Sequence, residues 1–302
     1  MENKKERIAA VVVTYNRKEL LKECLDALLS QTYPLDSIIL IDNASTDGTP
    51  EFLKENGYLD NPKIDYVRLL ENIGGAGGFY EGVKRGYEKG YDWLWLMDDD
   101  AIVQKNTLEE LIKAYLTLKK NNEKIGMIGS VAIANNNNLS WVLYCKEKRR
   151  VYRNLQDFEE ETVEVDFLPF LSVLIERDVI KKIGYPDKKF FIWGDDLEYC
   201  YRIIKNQMKI FVTKKGIVRH PLAIGIEISF LKKKVFVKSS SQPPWKDYYD
   251  ARNYIFIIKK HKLGIGKYFR FGGLIILSLF KRDQKFKRAR YYLKGIIDGF
   301  FK

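Results

Sequence analysis

Residues 8–13 read Ile-Ala-Ala-Val-Val-Val, an uninterrupted apolar run that is typical of a strand buried on both faces. The same alternation of a short apolar strand and an amphipathic segment continues through the first hundred residues, with further strands predicted at 37–41, 64–69 and 91–97. Such βαβ units predict an α/β fold whose sheet is covered by helices on both faces. The first predicted helix, at residues 18–30, places on one face the residues Leu20, Leu21, Cys24, Leu25 and Leu28.

The remaining two thirds of the chain are less regular. Apolar runs predict strands at 125–133 and 167–175, and residues 210–220 predict two short strands. Residues 140–165 have no clear period and are assigned to loops and strands. From Trp245 onward the chain is predicted to be helical, basic and rich in aromatic residues.

Composition restricts the class of protein. A chain of 302 residues, 46% hydrophobic and 30% charged, is predicted to fold around a substantial core. The net charge of +12 predicts attraction to polyanions without choosing among nucleic acid, anionic lipid and phosphorylated substrates. Three scattered cysteines exclude a disulfide framework, and the first apolar segment is too short for a secretory signal. We expect a cytoplasmic protein without a membrane-spanning helix, because no apolar run approaches about 20 residues.

Three consecutive aspartates, Asp98, Asp99 and Asp100, follow the aromatic-rich strand at 91–97. Because alternate side chains of an extended chain share a face, Asp98 and Asp100 can point together into the crevice at the carboxyl end of the sheet. Carboxylate oxygens there suit Mg²⁺ or Mn²⁺, and such an ion can hold a diphosphate. The alternative is a solvated acidic turn or an acidic helix start.

A second acidic pair, Asp195 and Asp196, follows Trp193 and Gly194 at a predicted helix start. Burial against Trp193 and mutual repulsion would raise the pKa of one carboxylate and make it a better general base, a role for which we favour Asp196. In the alternative interpretation, one of the two only caps the helix.

His220 follows a predicted strand and precedes Pro221. From this position its imidazole can complete the coordination of a divalent ion together with the acidic triplet. An ordinary surface or core histidine is the alternative.

The stretch Asn72-Ile73-Gly74-Gly75-Ala76-Gly77-Gly78 is rich in glycine but lacks the spacing of a dinucleotide-binding fingerprint, and the chain has no P-loop pattern. We interpret these glycines as allowing the backbone to approach a bound ligand closely. A flexible loop is the alternative.

The order and spacing of these motifs over residues 8–220 resemble the inverting family 2 glycosyltransferases of the GT-A fold. Residues 11–17 (Val-Val-Val-Thr-Tyr-Asn-Arg) resemble the opening strand and donor loop of that family, residues 42–49 (Asp-Asn-Ala-Ser-Thr-Asp-Gly-Thr) its second loop, and residues 98–100 its D-x-D element. The resemblance implies a Rossmann-like mixed sheet flanked by helices. It implies a catalytic domain over residues 1–240, with a donor-binding half at 1–135 and an acceptor-side half at 136–240, and a helical basic extension over 241–302.

The resemblance also implies a division of labour. Thr14, Asn16 and Asp42 would line the nucleotide pocket, and Asp196 would deprotonate the acceptor hydroxyl in a single inverting step. Mn²⁺ or Mg²⁺, bound with the donor diphosphate, would be held by Asp98, Asp100 and His220. Further residues expected beside the donor are Arg17, Asn72, Gly75, Asp98 and Asp99.

Within the family, residues 72–79, the segment 193–196 and His220 are most similar to galactofuranosyltransferases, which use UDP-galactofuranose. Rhamnosyltransferases that use dTDP-rhamnose are similar as well. Gly194 separates Trp193 from the two aspartates, a departure from a contiguous W-D-D that leaves both Asp195 and Asp196 open as the base.

The end of the chain interleaves basic residues with aromatic and aliphatic ones. Basic helices with apolar faces suit the interface of an anionic membrane, where a polyprenyl-linked acceptor would be found. A solvated helical hairpin packed on the catalytic domain is the alternative, and nucleic-acid binding is disfavoured because no recognised motif for it occurs. The basic residues are Lys259, Lys260, Lys262, Lys267, Arg270, Lys281, Arg282, Lys285, Lys287, Arg288, Arg290, Lys294 and Lys302.

Together these features predict a metal-dependent inverting glycosyltransferase of cell-wall or capsule polysaccharide synthesis, bound peripherally to the inner face of the cell membrane. It would transfer galactofuranose to a hydroxyl of a lipid-linked or polymeric cell-surface glycan. A dTDP-rhamnose-dependent rhamnosyltransferase is the alternative enzyme. A non-catalytic nucleotide-sugar-binding protein is disfavoured because both acidic elements are complete.

Overall fold

The computed structural model describes residues 6–134, 137–221, 225–230, 233–238, 242–281 and 283–301. The protein divides into two compact units, the first over residues 1–189 and 195–222 and the second over residues 190–194 and 223–302. The short segment 190–194 therefore belongs to the second unit, although the chain on both sides of it belongs to the first. Among the described residues, no helix is both long enough and apolar enough to cross a membrane.

Strands and helices alternate in the first unit, as the apolar pattern predicts. They are β1 (Ile8–Thr14), α1 (Lys18–Leu29), β2 (Ser37–Asp42), α2 (Thr49–Glu55), β3 (Ile64–Arg68), α3 (Gly74–Glu88), β4 (Trp93–Asp98), β5 (Ile102–Val103), α4 (Thr107–Lys120), β6 (Ile125–Ile133), β7 (Asn138–Cys145), β8 (Arg150–Asn154), β9 (Thr162–Val165), β10 (Leu171–Glu176), α5 (Arg177–Ile183), α6 (Asp195–Lys205) and β11 (Lys209–Arg219).

Strand β1 occupies the middle of the parallel part of the sheet. It pairs in parallel with β2 on one side and with β4 on the other. Beyond β4 the sheet becomes mixed, because β10 runs antiparallel to β4, and the strand order is β3-β2-β1-β4-β10-β6-β11-β5. The chain thus builds outward from β1 through β2 and β3 and then returns to the other side of β1 as β4. At such a reversal of strand order an α/β sheet opens a crevice for ligands.

Helices cover both faces of β1, which is buried along its whole length. Alternate side chains enter two separate cores: Val11 packs in the core that contains Val83 of α3, whereas Val12 packs in the core that contains Leu21 of α1. The predicted α/β sheet with both faces covered is therefore confirmed. The two short strands predicted at 210–220 are instead one strand, β11, which bends at an irregularity between Thr213 and Ile217.

Helix α3 lies close to the sheet because glycines occupy its inner face. A Cβ on Gly78 would collide with Val13, and a Cβ on Gly82 would collide with Val11. Gly75 differs, since a Cβ there would meet no heavy atom within 4 Å. The flexible-loop alternative for residues 74–78 is therefore wrong, because these residues begin the helix. Of the three glycines, only Gly75 has the open space that a close ligand approach requires.

We expect Gly82→Ala to be less stable than Gly75→Ala by about 1–3 kcal/mol, the usual cost of overpacking a well-packed core. Comparing the two variants cancels the gain in helix propensity that alanine brings at either position. Urea denaturation of both proteins measures the difference. Equal stability of the two variants would contradict the close packing of α3 on β1.

The second unit contains a hairpin and three helices. Their bounds are β12 (Gly225–Phe230), β13 (Lys233–Lys238), α7 (Lys246–His261), α8 (Gly266–Lys281) and α9 (Lys285–Phe301). The helices confirm the predicted helical end of the chain, whereas the hairpin is absent from the prediction. Of the basic residues noted at the end of the chain, Arg282 and Lys302 lie outside the described residues.

Helices α7 and α9 pack tightly in the second unit. A Cβ on Gly295 of α9 would collide with the carbonyl group of Tyr248 of α7, so only glycine permits this approach. Arg288 Nη1 donates a hydrogen bond of 2.9 Å to Asp247 Oδ2, and both side chains are completely buried. The prediction that Arg288 belongs to a basic surface is thus wrong. Replacing either residue by an apolar one would break a buried ion pair, a change that is usually strongly destabilising.

Residues 190–194 form a tight turn in the second unit with an unusual backbone. Phe191 and Trp193 have φ angles of 64° and 62°, and Gly194 has a φ of 88°. Ile192 N donates a hydrogen bond of 2.8 Å to Phe190 O, two residues earlier, as in a γ-turn of the rare positive-φ kind. A positive φ at a bulky residue costs on the order of 1–3 kcal/mol and persists only where the surroundings impose it.

Candidate active site

Polar residues converge on one edge of the sheet in the first unit. In the parallel register, Thr14 lies opposite Asp42 and Val13 lies opposite Asp98. The carboxyl ends of β1, β2 and β4 therefore meet at the place where the strand order reverses. The loops that follow these strands line this edge.

Asp99 has the smallest exposed fraction of the three aspartates in the acidic triplet, 3%. Thr14 Oγ1 donates a hydrogen bond of 2.7 Å to Asp99 Oδ2, and Arg17 Nη1 donates one of 3.3 Å to Oδ1. Burial raises the pKa of Asp99 to about 6, although Arg17 acts in the opposite direction. Asp99 thus supports the loop after β1 from beneath, and its expected contact with a donor stays a prediction.

Asp98 ends β4 and is electrostatically linked to the second acidic pair. Loss of hydration raises its pKa well above the ordinary value, and the negative charges of Asp100, Asp99 and Asp195 raise it further. The fold therefore brings the two acidic elements, separated by almost a hundred residues in the sequence, into one region of the first unit.

Asp100 and His220 face each other across this edge. Asp100 Oδ1 is buried without a hydrogen bond, and His220 Nε2 lies 3.5 Å from it. His220 Nδ1 is 2.7 Å from the carbonyl oxygen of Pro221, which requires a proton on Nδ1, so that in the neutral ring the electron pair is on Nε2. Two acceptor atoms that face one another require a proton or a cation between them.

The pair formed by Asp100 and His220 fits a divalent cation in its donor chemistry. A carboxylate oxygen and an imidazole nitrogen, with the other ring nitrogen bonded to a carbonyl, are the arrangement found around metal-bound histidine. In the part of the chain that the structure describes, no three histidine, cysteine, aspartate or glutamate side chains form a metal-binding group. The remaining ligands would therefore come from water or from phosphate oxygens. Asp98 as a further ligand stays a prediction.

Arg17 places a positive charge against the triplet. Its Nη1 lies 2.7 Å from Asp100 Oδ2 and 3.3 Å from Asp99 Oδ1, while half of its side chain is exposed. Burial alone would lower the pKa of Arg17, but Asp99, Asp100 and Asp98 together raise it. A guanidinium that is permanently charged and partly exposed suits phosphate recognition.

Asn16 ties the loop after β1 to the loop after β2. Its Oδ1 accepts a hydrogen bond of 2.7 Å from Thr46 N, and its own N donates one of 3.0 Å to Ser45 Oγ. Asn16 and Ala44 have φ angles of 54° and 61°, a region that asparagine tolerates and that alanine adopts only with strain. Ser45 and Thr46 lie within the motif noted in the sequence, although no role was predicted for them.

Asp42 is completely buried beneath the second loop. Its Oδ1 accepts a hydrogen bond of 2.8 Å from Ser45 N, and its Oδ2 accepts one of 2.7 Å from Tyr66 Oη. Arg68 Nε lies 3.7 Å from the same Oδ2. Asp42 therefore shapes the loop, and its expected contact with a nucleotide stays a prediction. Tyr66 and Arg68 are missed by sequence reasoning because a short strand gives no signal that marks them.

Asn72 holds the first turn of α3 at this edge. Its Oδ1 accepts hydrogen bonds from Asn43 Nδ2 at 3.0 Å and from Gly74 N at 2.8 Å. Asn43 Oδ1 in turn accepts one of 2.9 Å from Ile73 N. The two asparagines thus fix the helix start, where Gly75 has open space around it. Asn43 is a supporting residue without a predicted role.

Asp195 and Asp196 begin α6. Asp195 is only 7% exposed, and burial followed by repulsion from Asp196 raises its pKa to about 8. The raised pKa is that of Asp195, whereas the sequence favours Asp196 as the base, and which of the two is the base stays a prediction. Asp196 is half-buried, and its Oδ1 accepts a hydrogen bond of 2.7 Å from Leu197 N. Trp193 belongs to the second unit, and its contact with the pair stays a prediction.

Glu198 and Arg202 anchor α6 one turn beyond the pair. Their charged groups are 2.7 Å apart, and Glu198 is completely buried. Arg202 Nη1 also donates hydrogen bonds of 2.8 Å to the carbonyl groups of Ile183 and Tyr185. The helix that carries the aspartate pair is thereby fixed to the end of α5.

Comparison with known sequences gives consistent matches. A sequence model of glycosyl transferase family 2 matches residues 9–184. The chain is 26% identical over 289 residues to galactofuranosyltransferase GlfT1 of Mycobacterium tuberculosis, which covers 93% of this chain and 91% of that protein. It is 28% identical over 225 residues to GlfT1 of Mycolicibacterium smegmatis, with 72% and 71% covered. It is 24% identical over 183 residues to poly-beta-1,6-N-acetyl-D-glucosamine synthase of Staphylococcus epidermidis, with 60% and 42% covered.

Solved structures show the same fold. GalNAc-T7 with UDP, GalNAc and Mn²⁺ has a TM-score of 0.60 at 18% identity, with 86% of this chain and 48% of that one covered. Mannosyltransferase PcManGT from Pyrobaculum calidifontis, in complex with GDP-Man and Mn²⁺, has a TM-score of 0.56 at 16% identity, with 85% and 64% covered. The chain thus spans about half of the first and under two thirds of the second. These likenesses confirm the expected GT-A fold.

The raised pKa values predict that stability falls as the pH rises. Folding raises the pKa of these buried carboxyl groups, so their contribution to stability is fully present below the pKa of the unfolded chain. It is lost as the pH rises through the pKa in the folded state, which is about 6 for Asp99 and about 8 for Asp195. Because a tenfold change in proton affinity is worth about 1.4 kcal/mol, we expect Asp195→Asn to reduce the loss of stability between pH 5 and pH 8.5 by at least about 1 kcal/mol. Urea denaturation at both pH values, without divalent ions, measures this.

A matched control for this measurement is Asp60→Asn, which changes an exposed aspartate in the first unit. It should retain the pH dependence of the unmodified protein. If Asp195→Asn also retains that dependence, Asp195 does not hold a proton in the folded state.

Proposed function

This chain belongs to glycosyl transferase family 2, and on that premise we propose that it transfers galactofuranose from UDP-galactofuranose to a hydroxyl of a glycan acceptor. The observation that carries the proposal is the electrostatic link between the two acidic elements, 98–100 and 195–196, in the first unit. Relatives that align over most of the chain include galactofuranosyltransferases, which supports the furanose donor. The alternative donor is dTDP-rhamnose.

The loops after β1 and β2 would form the nucleotide pocket. Thr14, Asn16 and Asp42 would set its shape through the hydrogen bonds that fix these loops. Arg17 would contact the donor diphosphate, because it is charged and partly exposed. Asn72 would direct the first turn of α3, including Gly75, toward the donor, since helix N-termini favour phosphate. Asp99 would act indirectly, through Thr14 and Arg17.

Asp98, Asp100 and His220 would hold Mn²⁺ or Mg²⁺. Two atoms support this assignment: Asp100 Oδ1, which has no hydrogen bond, and His220 Nε2, which carries the electron pair of the neutral ring. When bound, such an ion stabilises the negative charge on the departing nucleoside diphosphate.

Asp196 would act as the general base, with Asp195 as the alternative. The exposure of the two residues supports this order, because an acceptor hydroxyl can reach the half-buried Asp196 more readily than the buried Asp195. The base would take the proton of the acceptor hydroxyl as its oxygen attacks the anomeric carbon and the bond to the diphosphate breaks. Attack from the face opposite the leaving group inverts the anomeric configuration without a covalent enzyme intermediate.

The test of this function is transfer and nucleotide release with Mn²⁺ across UDP-galactofuranose, UDP-galactopyranose, UDP-glucose and dTDP-rhamnose. We expect selective turnover of the furanose donor and loss of activity in chelator. Asp196→Asn should lower kcat by about 10²–10⁴-fold, the usual contribution of a general base, while donor affinity is retained. Asp100→Ala should abolish the response to Mn²⁺, because it removes the carboxylate that faces His220.

Each outcome decides one part of the proposal. Preference for dTDP-rhamnose would retain the mechanism and change the donor. Full activity in chelator would contradict the metal site. If activity is lost in Asp195→Asn but retained in Asp196→Asn, Asp195 and not Asp196 is the base. Donor binding without any turnover would indicate a non-catalytic binding protein. Asp60→Asn again provides the matched control.

We further propose that the acceptor is lipid-linked and that the second unit binds the anionic inner face of the cell membrane. Helices α8 and α9 expose large apolar side chains, and α9 also exposes the basic residues Lys285, Lys287, Arg290 and Lys294. Apolar and basic groups exposed on one helix, as on α9, are typical of the membrane interface. The apolar residues, which are 57% to 95% exposed, are Phe269, Ile276, Phe286, Leu293 and Phe301.

Vesicle flotation tests the membrane proposal. We expect the protein to float with phosphatidylglycerol vesicles and not with neutral ones. The double variant Phe286→Ser/Leu293→Ser should bind at least about tenfold more weakly, because burying one large apolar side chain is worth about 1.5–3 kcal/mol. Leu70→Ser, which removes a fully exposed leucine of the first unit, is the matched control. Unchanged flotation of the double variant would contradict this use of α9.

A further inference from the structure

We propose that Asn253 and Arg252 of α7 are positioning residues for the aspartate pair, which they control by holding the turn at residues 190–194. The catalytic part of this inference rests on the proposed function, whereas the holding of the turn does not. The turn, Asn253 and Arg252 all belong to the second unit, and the turn is followed directly in the chain by Asp195.

The side-chain amide of Asn253 hydrogen-bonds to three carbonyl groups of the turn. Its Nδ2 is 2.9 Å from Phe190 O, 2.8 Å from Ile192 O and 2.7 Å from Trp193 O. Asn253 is 2% exposed, so water does not compete for these contacts. An amide group has only two N–H donors, and three acceptors at these distances must share them. One side chain thus fixes the backbone over four consecutive residues.

Arg252 fixes the orientation of that amide and adds a bond to the turn. Its Nε and Nη2 donate hydrogen bonds of 2.9 Å and 2.8 Å to Asn253 Oδ1, so the amide nitrogen must face the turn. Nη2 also donates one of 2.8 Å to Phe190 O. The Arg252 guanidinium lies 4.8 Å from the ring centre of Tyr249, and this ring stacks on Phe191 at 4.8 Å. Both the backbone and a side chain of the turn are therefore held by α7.

The turn requires such support because its conformation is unfavourable on its own. Phe191 and Trp193 carry positive φ angles that aromatic residues rarely adopt. Without bonds to its carbonyl groups, the segment would relax toward ordinary φ values. Strained backbone of this kind is concentrated at functional sites, where it fixes the direction of the chain.

Helix α7 is itself a rigid support. A Cβ on Gly299 of α9 would approach the carbonyl oxygen of Arg252 to 3.0 Å, so α9 lies directly against the segment of α7 that holds the turn. Tyr248 Oη donates a hydrogen bond of 2.7 Å to Asp298 Oδ2, which joins the same two helices. The buried pair of Arg288 and Asp247 joins them at the start of α7.

Because the turn directly precedes α6, holding the turn also holds the start of the helix that carries the aspartate pair. Gly194 is bonded to Asp195, the first residue of α6, so a rotation within the turn moves the entry of the chain into that helix. Catalysis is sensitive to such movement, because a displacement of about 1 Å at a reacting group can lower the rate about 10²-fold. Asn253 and Arg252 would therefore affect the rate of transfer without contacting the reactants.

Asn253→Ala and Arg252→Lys test this proposal. Hydrogen–deuterium exchange is expected to become at least tenfold faster in a peptide that spans residues 188–197 and to stay unchanged in β1 and β4. For transfer, kcat should fall at least tenfold while donor affinity changes less than twofold, a split that general destabilisation would not produce. Arg252→Lys keeps the charge and loses the planar fork, and it supplies the same readouts if Asn253→Ala does not fold.

Asn56→Ala is the matched control, since Asn56 is an exposed residue at the end of α2 and bonds only the carbonyl of Phe52 among the described contacts. Unchanged exchange at 188–197 in both test variants would overturn the proposal. Faster exchange with kcat within twofold of the unmodified protein would overturn the positioning role. If the unmodified protein transfers no sugar from any donor, the proposed function fails, while the exchange measurement still decides whether α7 holds the turn.

Discussion

The register of β1 between β2 and β4 is the constraint on which the rest of the structure depends. Because β1 is buried on both faces, a slip of one residue would exchange the side chains of its two cores. In the observed register, Thr14 lies beside Asp42, and Val13 lies beside Asp98. Polar groups from three separate segments are thereby assembled at one edge, and hydrogen bonds such as that from Thr14 to Asp99 then connect them.

Several carboxylates lie close together at this edge, and their burial and mutual repulsion lower the stability of the folded state. Asp98, Asp99 and Asp195 all have raised pKa values, with burial as the first cause in each case. Arg17 offsets part of this charge, yet Asp100 Oδ1 and His220 Nε2 still oppose each other. A protein with a net charge of +12 thus keeps an acidic centre. Such a centre favours cationic ligands and protonation, and the gain from either is available only in the folded state.

Features with a local signature could be predicted from the sequence. The apolar run at 8–13 indicated β1, and the triplet after β4 indicated an acidic edge. Long-range packing has no such signature: nothing adjacent to Arg288 in the sequence marks its burial against Asp247, and nothing in the glycines of α3 separates Gly82, which packs on Val11, from Gly75, which does not. The full burial of Asp42 depends likewise on a tyrosine of another strand.

The assignment of residues 190–194 to the second unit also determines the order in which the protein can mature on the ribosome. The turn is synthesised before α7, and the chain must grow by about 60 residues before Asn253 exists, a delay of several seconds at roughly 5–20 residues per second. Until then, the sheet that carries residues 98–100 can form while the strained backbone before α6 lacks its partners. Vectorial synthesis therefore delays the final conformation of this turn until α7 has been made.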